Sequence, residues 1–182
     1  MVTILRNISK KQFRQIKQEL RAIAKKHGSI VNIRKRPIIW NRYGHQGPNF
    51  GAIEGSFCTL YRNISITYYG NCSRKDILFI LAHEVRHAVH AYSGMYSDYY
   101  NTSNICAIMQ AIKKGGNKSL PIKFINEENA YLAENDCQVW AYKYLKQHNI
   151  VYFLEEYPKT DTMAASLNRS IMKQSHILTG VS

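Results

Sequence analysis

The chain has 182 residues, of which 45% are hydrophobic and 20% are charged, a composition typical of a globular protein of one compact domain. The longest apolar run, residues 77–82, is far shorter than the about 20 residues that a transmembrane helix needs. The N-terminus has no basic region followed by an apolar stretch, so neither a membrane protein nor a secreted protein is expected.

Positive charge is concentrated at the start of the chain. Residues 1–50 contain 12 Lys and Arg and a single acid, Glu19, so they carry +11 of the formal net charge of +13. This asymmetry is typical of a surface that contacts nucleic acid or another acidic partner, and a solvated face that aids solubility has the same pattern. The candidate nucleic-acid-binding residues are Lys10, Lys11, Arg14, Lys17, Arg34, Lys35 and Arg36.

The first predicted helix covers about residues 10–27. Ser9 and Gln12 have the spacing of a capping box, apolar residues then recur at helical spacing, and Gly28 supplies a stop. A β-prone stretch over residues 29–39 follows. The chain then enters a segment rich in Gly, Asn and aromatic residues, which predicts a loop.

That loop covers residues 40–55 and leads into two β-prone runs, residues 56–61 and 63–68. Their alternation and β-branched content favour two strands of a hairpin or meander. A second helix is predicted over residues 74–92, because Ser73 and the residues after it have a capping pattern. The first turns of this helix are apolar all round, which indicates a helix buried in a core.

Three further helices are predicted over residues 104–114, 125–148 and 161–178, after a loop over 93–103. Together the elements predict an α+β fold. A small antiparallel or mixed sheet would pack on the buried helix, with additional helices around it, in a single zincin-like domain over residues 1–182. The basic helix–strand segment over residues 1–50 would belong to this domain or be appended to it. The four cysteines form no CxxC pair, so we expect reduced and mostly buried thiols.

Residues 83–87 read His-Glu-Val-Arg-His, an HExxH motif inside the apolar helix. Four residues make just over one helical turn, so His83 and His87 point the same way and can bind one metal ion. Neutral imidazoles suit Zn²⁺. Glu84 lies about 100° further round the helix, where it can take a proton from a metal-bound water. The motif therefore predicts a catalytic zinc ion with Glu84 as the general base.

A catalytic zinc site has three protein ligands and one open position, so a further ligand must come from elsewhere in the chain. The acidic helix over residues 125–148 is the preferred source. Glu134 is the first choice, because it lies on one side of a helix whose other positions are apolar. Glu127, two turns earlier on nearly the same face, is the runner-up, and Glu128 is less well phased.

A family resemblance extends this interpretation. An HExxH helix preceded by a hairpin and followed by Glu134 to Ala141, which read Glu-Asn-Asp-Cys-Gln-Val-Trp-Ala, resembles the ImmA/IrrE-type zinc metallopeptidases. These compact, gluzincin-like (zincin) proteins are often carried by phages and mobile elements. The resemblance covers about residues 56–146, the metallopeptidase core, and residues 1–50 have no clear counterpart. It implies His83, His87 and Glu134 as zinc ligands, Glu84 as base, and a regulatory or repressor protein as substrate.

Other side chains are candidates for supporting roles. His90 is two turns from His83 on the same face and is a candidate contact of a ligand or substrate. A donor to the reaction's oxyanion is also needed, and Tyr92 and Tyr142 are candidates among 13 tyrosines, as are Tyr99 and Tyr100.

The predicted function is hydrolysis of a protein substrate by a zinc metallopeptidase in the cytoplasm of a bacterium or a phage-infected host. The alternative is a basic regulator that binds nucleic acid or a host factor and has a structural or vestigial zinc site. A DNA-repair protease of the SprT type is less favoured, because no suitable third histidine follows the motif.

Overall fold

The computed structural model describes residues 8–36, 53–59, 61–70, 72–97, 99–100 and 127–151. The helices and strands in these ranges are α1 (Lys10–Lys26), β1 (Ile30–Arg36), β2 (Ile53–Cys58), β3 (Asn63–Tyr69), α2 (Arg74–Ser93) and α3 (Glu127–Gln147). The predicted helices over 104–114 and 161–178 lie outside the described residues. Three helices and a three-stranded sheet confirm the α+β class.

The sheet is mixed, with strand order β1-β3-β2. β1 runs parallel to β3 with Ile30 opposite Asn63, and β2 runs antiparallel to β3 with Ile53 opposite Tyr68. The predicted hairpin is thus confirmed as β2–β3, but β2 begins three residues earlier than the sequence indicated. The prediction of a loop up to residue 55 was wrong at its end, because Gly55 lies inside β2.

Both predicted helix caps are present. The backbone N–H of Gln12 donates to Ser9 Oγ over 3.1 Å, and that of Asp76 donates to Ser73 Oγ over 3.1 Å. Each cap satisfies one of the N–H groups that the first turn of a helix leaves without an intrahelical acceptor. Gly28, with φ of +69°, follows the end of α1, as expected of a residue that adopts the left-handed conformation without strain.

The chain divides into two compact units, residues 1–93 with 137–155 and residues 94–136 with 156–182. The boundary falls within α3, after Asp136. The predictions of one domain over residues 1–182 and of a metallopeptidase core over 56–146 remain predictions.

The first unit contains the sheet, α1, α2 and the C-terminal part of α3. Its core is formed by apolar side chains from all of these elements except the edges of the sheet: Ile16, Leu20 and Ala24 of α1, Ile64 and Ile66 of β3, Leu78, Leu81 and Val85 of α2, and Ala141 and Leu145 of α3. Five of these core residues belong to α1 and β3, and three to α2. The predicted burial of the first turns of α2 is therefore confirmed.

Glu19, the one acid among the first fifty residues, connects α1 to the end of α3. Its carboxylate accepts hydrogen bonds from Tyr144 Oη at 3.1 Å and contacts His148 Nε2 at 3.3 Å. Burial, followed by the charge of Glu19 and the hydrogen bond to it, raises the pKa of Tyr144 well above its usual range. Within the described residues, no helix is long and apolar enough to span a bilayer.

Candidate metal centre

The two histidines of the HExxH motif face each other on α2. His83 Nε2 and His87 Nε2 are 3.0 Å apart, and the two ring centroids are 4.8 Å apart. Two imidazole nitrogens bound to one tetrahedral zinc ion at 2.0–2.1 Å would be separated by about 3.3 Å. The observed separation is close to that value, so the pair is arranged as two ligands of a single ion.

Glu84 lies next to this pair in sequence and is 7% exposed. Its neighbour across the helix–sheet contact is Gly55 of β2. A Cβ atom built on Gly55 would lie 2.7 Å from Glu84 Oε1 and 3.0 Å from Glu84 Cγ, and it would also overlap the side chain of Ile80. Because real Cβ atoms do not approach other heavy atoms so closely, the absence of a side chain at Gly55 is what lets β2 lie against Glu84.

Glu134 is a buried carboxylate on α3, also 7% exposed. Its Oε1 atom accepts a hydrogen bond of 2.7 Å from the hydroxyl of Tyr99, which is itself buried. A buried carboxylate is costly unless it is hydrogen-bonded or bound to a cation. The Tyr99 hydroxyl provides one such bond and constrains the orientation of the carboxylate.

In the part of the first unit that the structure describes, one group of three side chains can hold a metal ion. It is His87, His90 and Cys137, all of them buried. Their ligand atoms all lie within 4.8 Å of one another. A possible metal-binding cluster of buried residues is thus present on α2 and α3.

The HExxH motif and the acidic helix predicted a different group, His83, His87 and Glu134. Two imidazole nitrogens and a carboxylate oxygen are ligands that zinc accepts in catalytic sites, so the chemistry of these donors fits a zinc ion. His83 and His87 belong to the first unit and Glu134 to the second. Their role as zinc ligands remains a prediction.

The remaining candidates have different surroundings. His90 is fully buried and lies beside Cys137, with 3.7 Å between Nδ1 and Sγ. Tyr92 is 63% exposed and contacts the edge of the His27 ring. The ring of Tyr142 packs against the core, and the Lys146 ammonium lies over it. The assignment of an oxyanion donor to either tyrosine stays a prediction, and the Glu127 side chain lies outside what the structure describes.

The predicted nucleic-acid-binding side chains lie on α1 and β1. Most of them are exposed, and Lys17 is half-buried with its ammonium over the Phe13 ring. The exposed residues of this set are Lys10, Lys11, Arg14, Arg34, Lys35 and Arg36. Their binding of nucleic acid or of an acidic partner remains a prediction.

Sequence reasoning did not predict the contacts that three residues make within or beside the candidate metal centre. Gly55 was placed in a loop, although an isolated glycine within a strand often marks a close approach of another element. Cys137 was predicted only to be a buried thiol, and the structure shows it buried and outside any disulfide. Tyr99 was one of several tyrosines in a Tyr-, Ser- and Asn-rich segment, and nothing in the sequence distinguishes it.

Comparison of the chain with protein-family models, with curated proteins and with solved structures found no match. The site is therefore interpreted from its own residues and from their geometry.

Proposed function

We propose that the chain is a zinc-dependent metallopeptidase that hydrolyses peptide bonds of a protein substrate. The observation that carries this proposal is the pair of imidazole nitrogens of His83 and His87, 3.0 Å apart, with the buried carboxylate of Glu84 adjoining them on the same helix. This combination is the minimum that metal-assisted hydrolysis of an amide requires.

In this proposal His83, His87 and Glu134 hold the zinc ion. When bound, zinc supplies a water of lowered pKa, about 7, and polarises the carbonyl group that this water attacks. Tyr99 donates to Oε1 of Glu134 and so limits rotation of the carboxylate.

Glu84 is the proposed general base. Its carboxylate accepts the proton of the attacking water and then delivers it to the leaving nitrogen, so that the amine departs in its neutral form. Glu84 is buried, which is consistent with a base that acts inside the protein and not on its surface. Gly55 keeps the backbone of β2 against the carboxylate and so restricts its position.

The substrate class follows from the resemblance and from the charge of the chain. A regulatory protein of the repressor kind is the proposed substrate, and the basic side chains of α1 and β1 would help the enzyme to reach a partner bound to DNA. These side chains also support the second candidate, a regulator that acts by binding alone and has a structural or vestigial zinc site.

The proposal is tested by Glu84→Gln, which keeps the size of the side chain and removes its basicity. We expect the zinc-loaded variant to bind zinc as the wild type does and to cleave a proteome-derived peptide library at least about 100-fold more slowly, the scale of general base catalysis. Cleavage is measured by mass spectrometry and zinc by elemental analysis. The matched control is Glu128→Gln, which changes an exposed glutamate of α3 and should cleave at the wild-type rate.

Equal cleavage by wild type and by Glu84→Gln would contradict the role of Glu84. Absence of any cleavage by the zinc-loaded wild type, in the library and in folded proteins, would favour the regulator instead. Full zinc occupancy in His83→Ala would contradict the proposed ligands.

A further inference from the structure

Outside the proposed catalytic group, the most completely buried pair of metal-ligating side chains in the described residues is His90 and Cys137. Both are 0% exposed, and His90 Nδ1 lies 3.7 Å from Cys137 Sγ. For a tetrahedral zinc-like ion with bonds of about 2.1 Å to nitrogen and 2.3 Å to sulfur, the nitrogen–sulfur edge is about 3.6 Å. The pair is therefore already spaced as two ligands of one ion.

His87 is the third member of this group, and it is also a member of the proposed catalytic group. At present its ring lies nearer to His83, with 4.8 Å between centroids, than to His90, with 6.4 Å between centroids. The ligand atoms of the sulfur-containing group nevertheless already lie within 4.8 Å of one another, so only a small approach of the three side chains is needed to bind an ion there.

A neutral imidazole has one nitrogen lone pair available to a metal, because its other nitrogen carries a proton. His87 can thus serve one ion at a time. The two groups are alternatives that compete for a single side chain, and occupation of one removes a ligand from the other.

We propose that His87, His90 and Cys137 form a second metal site, selective for thiophilic ions such as Cd²⁺ or Cu⁺, and that its occupation excludes the ion held by His83, His87 and Glu134. Thiolate ligands select soft ions, whereas imidazole and carboxylate suit zinc without such preference. As the metal–sulfur bond forms, the Cys137 thiol loses its proton to solvent, so one proton is released for each ion bound. No oxidant or reductant takes part.

As a consequence, a soft metal ion would withdraw His87 from the proposed zinc ligands while the chain stays folded. The proposal rests on the two ligand groups and not on hydrolysis of peptides. Its failure and that of the proposed function are therefore distinguishable, since its readouts are spectroscopic.

The test uses the full chain loaded with one equivalent of Co²⁺, a coloured substitute for zinc, and titrated with Cd²⁺. We expect one equivalent of Cd²⁺ to produce a sulfur-to-metal charge-transfer band in the ultraviolet. The visible absorption of bound Co²⁺ should fall in parallel, because His87 leaves the proposed catalytic group.

Cys137→Ala should abolish the charge-transfer band at one equivalent. Displacement of Co²⁺ should then require at least about tenfold more Cd²⁺, the loss that even an outer contact of a metal site causes when it is removed. The matched control is Cys72→Ala, which removes a half-buried thiol that donates to the carbonyl of Tyr69 and should behave as wild type. Glu134→Gln leaves the second group intact, so it should keep the band while binding Co²⁺ more weakly.

Three results would overturn the proposal. The first is a charge-transfer band of unchanged strength in Cys137→Ala, which would assign it to another thiol. The second is a wild-type chain that binds Cd²⁺ through sulfur while all Co²⁺ stays bound, which would show that His87 is not shared. The third is the absence of the band in both the wild type and Glu134→Gln.

Discussion

Helices α1 and α2 begin in the same way, but of the two only α2 buries polar side chains. Each is capped by a serine that accepts a hydrogen bond of 3.1 Å from the third residue after it, Ser9 in α1 and Ser73 in α2. The buried residues of α1 are Ile16, Leu20 and Ala24, all apolar. The buried residues of α2 also include Glu84, His87 and His90.

The polar side chains of α1 lie outside its buried face, whereas α2 brings polar side chains into the interior. Burying a polar group costs about 1–3 kcal/mol unless hydrogen bonds or a metal offset the cost. A folded chain that departs from the apolar pattern in this way does so mainly at functional sites. We expect the basic outer face of α1 to contact partners and the buried polar side chains of α2 to serve the proposed reaction.

Gly55→Val should produce the largest change, because it forces a branched side chain into the contact between β2 and α2. We expect a loss of about 1–3 kcal/mol in the free energy of unfolding, as overpacking usually causes. We also expect cleavage to fall more than zinc affinity, since the added atoms meet Glu84 and not the histidines. Urea unfolding, zinc titration and peptide cleavage measure the three quantities.

The control for this variant is Ser56→Val, the next residue of β2, which is exposed and points to the opposite face of the sheet. Its stability should lie within about 0.5 kcal/mol of the wild type. If Gly55→Val matches it in stability and activity, the close approach of β2 to Glu84 has no importance.

Tyr144→Phe tests how much the hydrogen bond between Tyr144 of α3 and Glu19 of α1 stabilises the fold. At neutral pH the lost hydrogen bond to Glu19 should cost about 1 kcal/mol of unfolding free energy. The folded state raises the pKa of Tyr144. The stabilisation of the folded state by the protonated Tyr144 hydroxyl is therefore complete below the unfolded pKa of about 10 and declines as the pH rises above that value. The stability gap between wild type and variant should therefore narrow from pH 9 to 11.5, and a constant gap in urea unfolding would refute this.

The smallest change in stability is expected on the outer face of α1. Replacing Lys10, Lys11 and Arg14 together by Gln should alter the unfolding free energy by no more than about 0.5 kcal/mol, because all three are exposed. Peptide cleavage should be unchanged. If this face contacts nucleic acid, the plot of the logarithm of the duplex DNA binding constant against the logarithm of salt concentration should become less steep. The slope should change by about 1 for each phosphate contact removed. A wild-type affinity for duplex DNA that does not change with salt concentration would contradict a phosphate contact.

The local parts of the fold were predictable and the tertiary parts were not. Serine caps and glycine stops placed α1 and α2 within a residue or two of their observed ends, because capping depends on neighbours in the chain. The start of β2 was missed, since a glycine within a strand is favoured here only by its contact with Glu84 and Ile80. The parallel pairing of β1 with β3 likewise has no local signal.

The same distinction applies to the candidate site. The spacing of His83 and His87 alone predicts that their nitrogens converge, because both lie on one helix. The contact between His90 and Cys137 joins α2 to α3, and its geometry depends on how two helices are rotated about their axes. Sequence periodicity leaves that rotation undetermined, and so the second ligand group could not be foreseen.

The missing side chain at Gly55 also has a mechanical consequence. Because Gly55 has no side chain, β2 packs so closely on Glu84 that a movement of the strand bears on that carboxylate. If Glu84 is the proposed base, the stiffness of the β2–β3 hairpin contributes to how firmly its carboxylate is positioned.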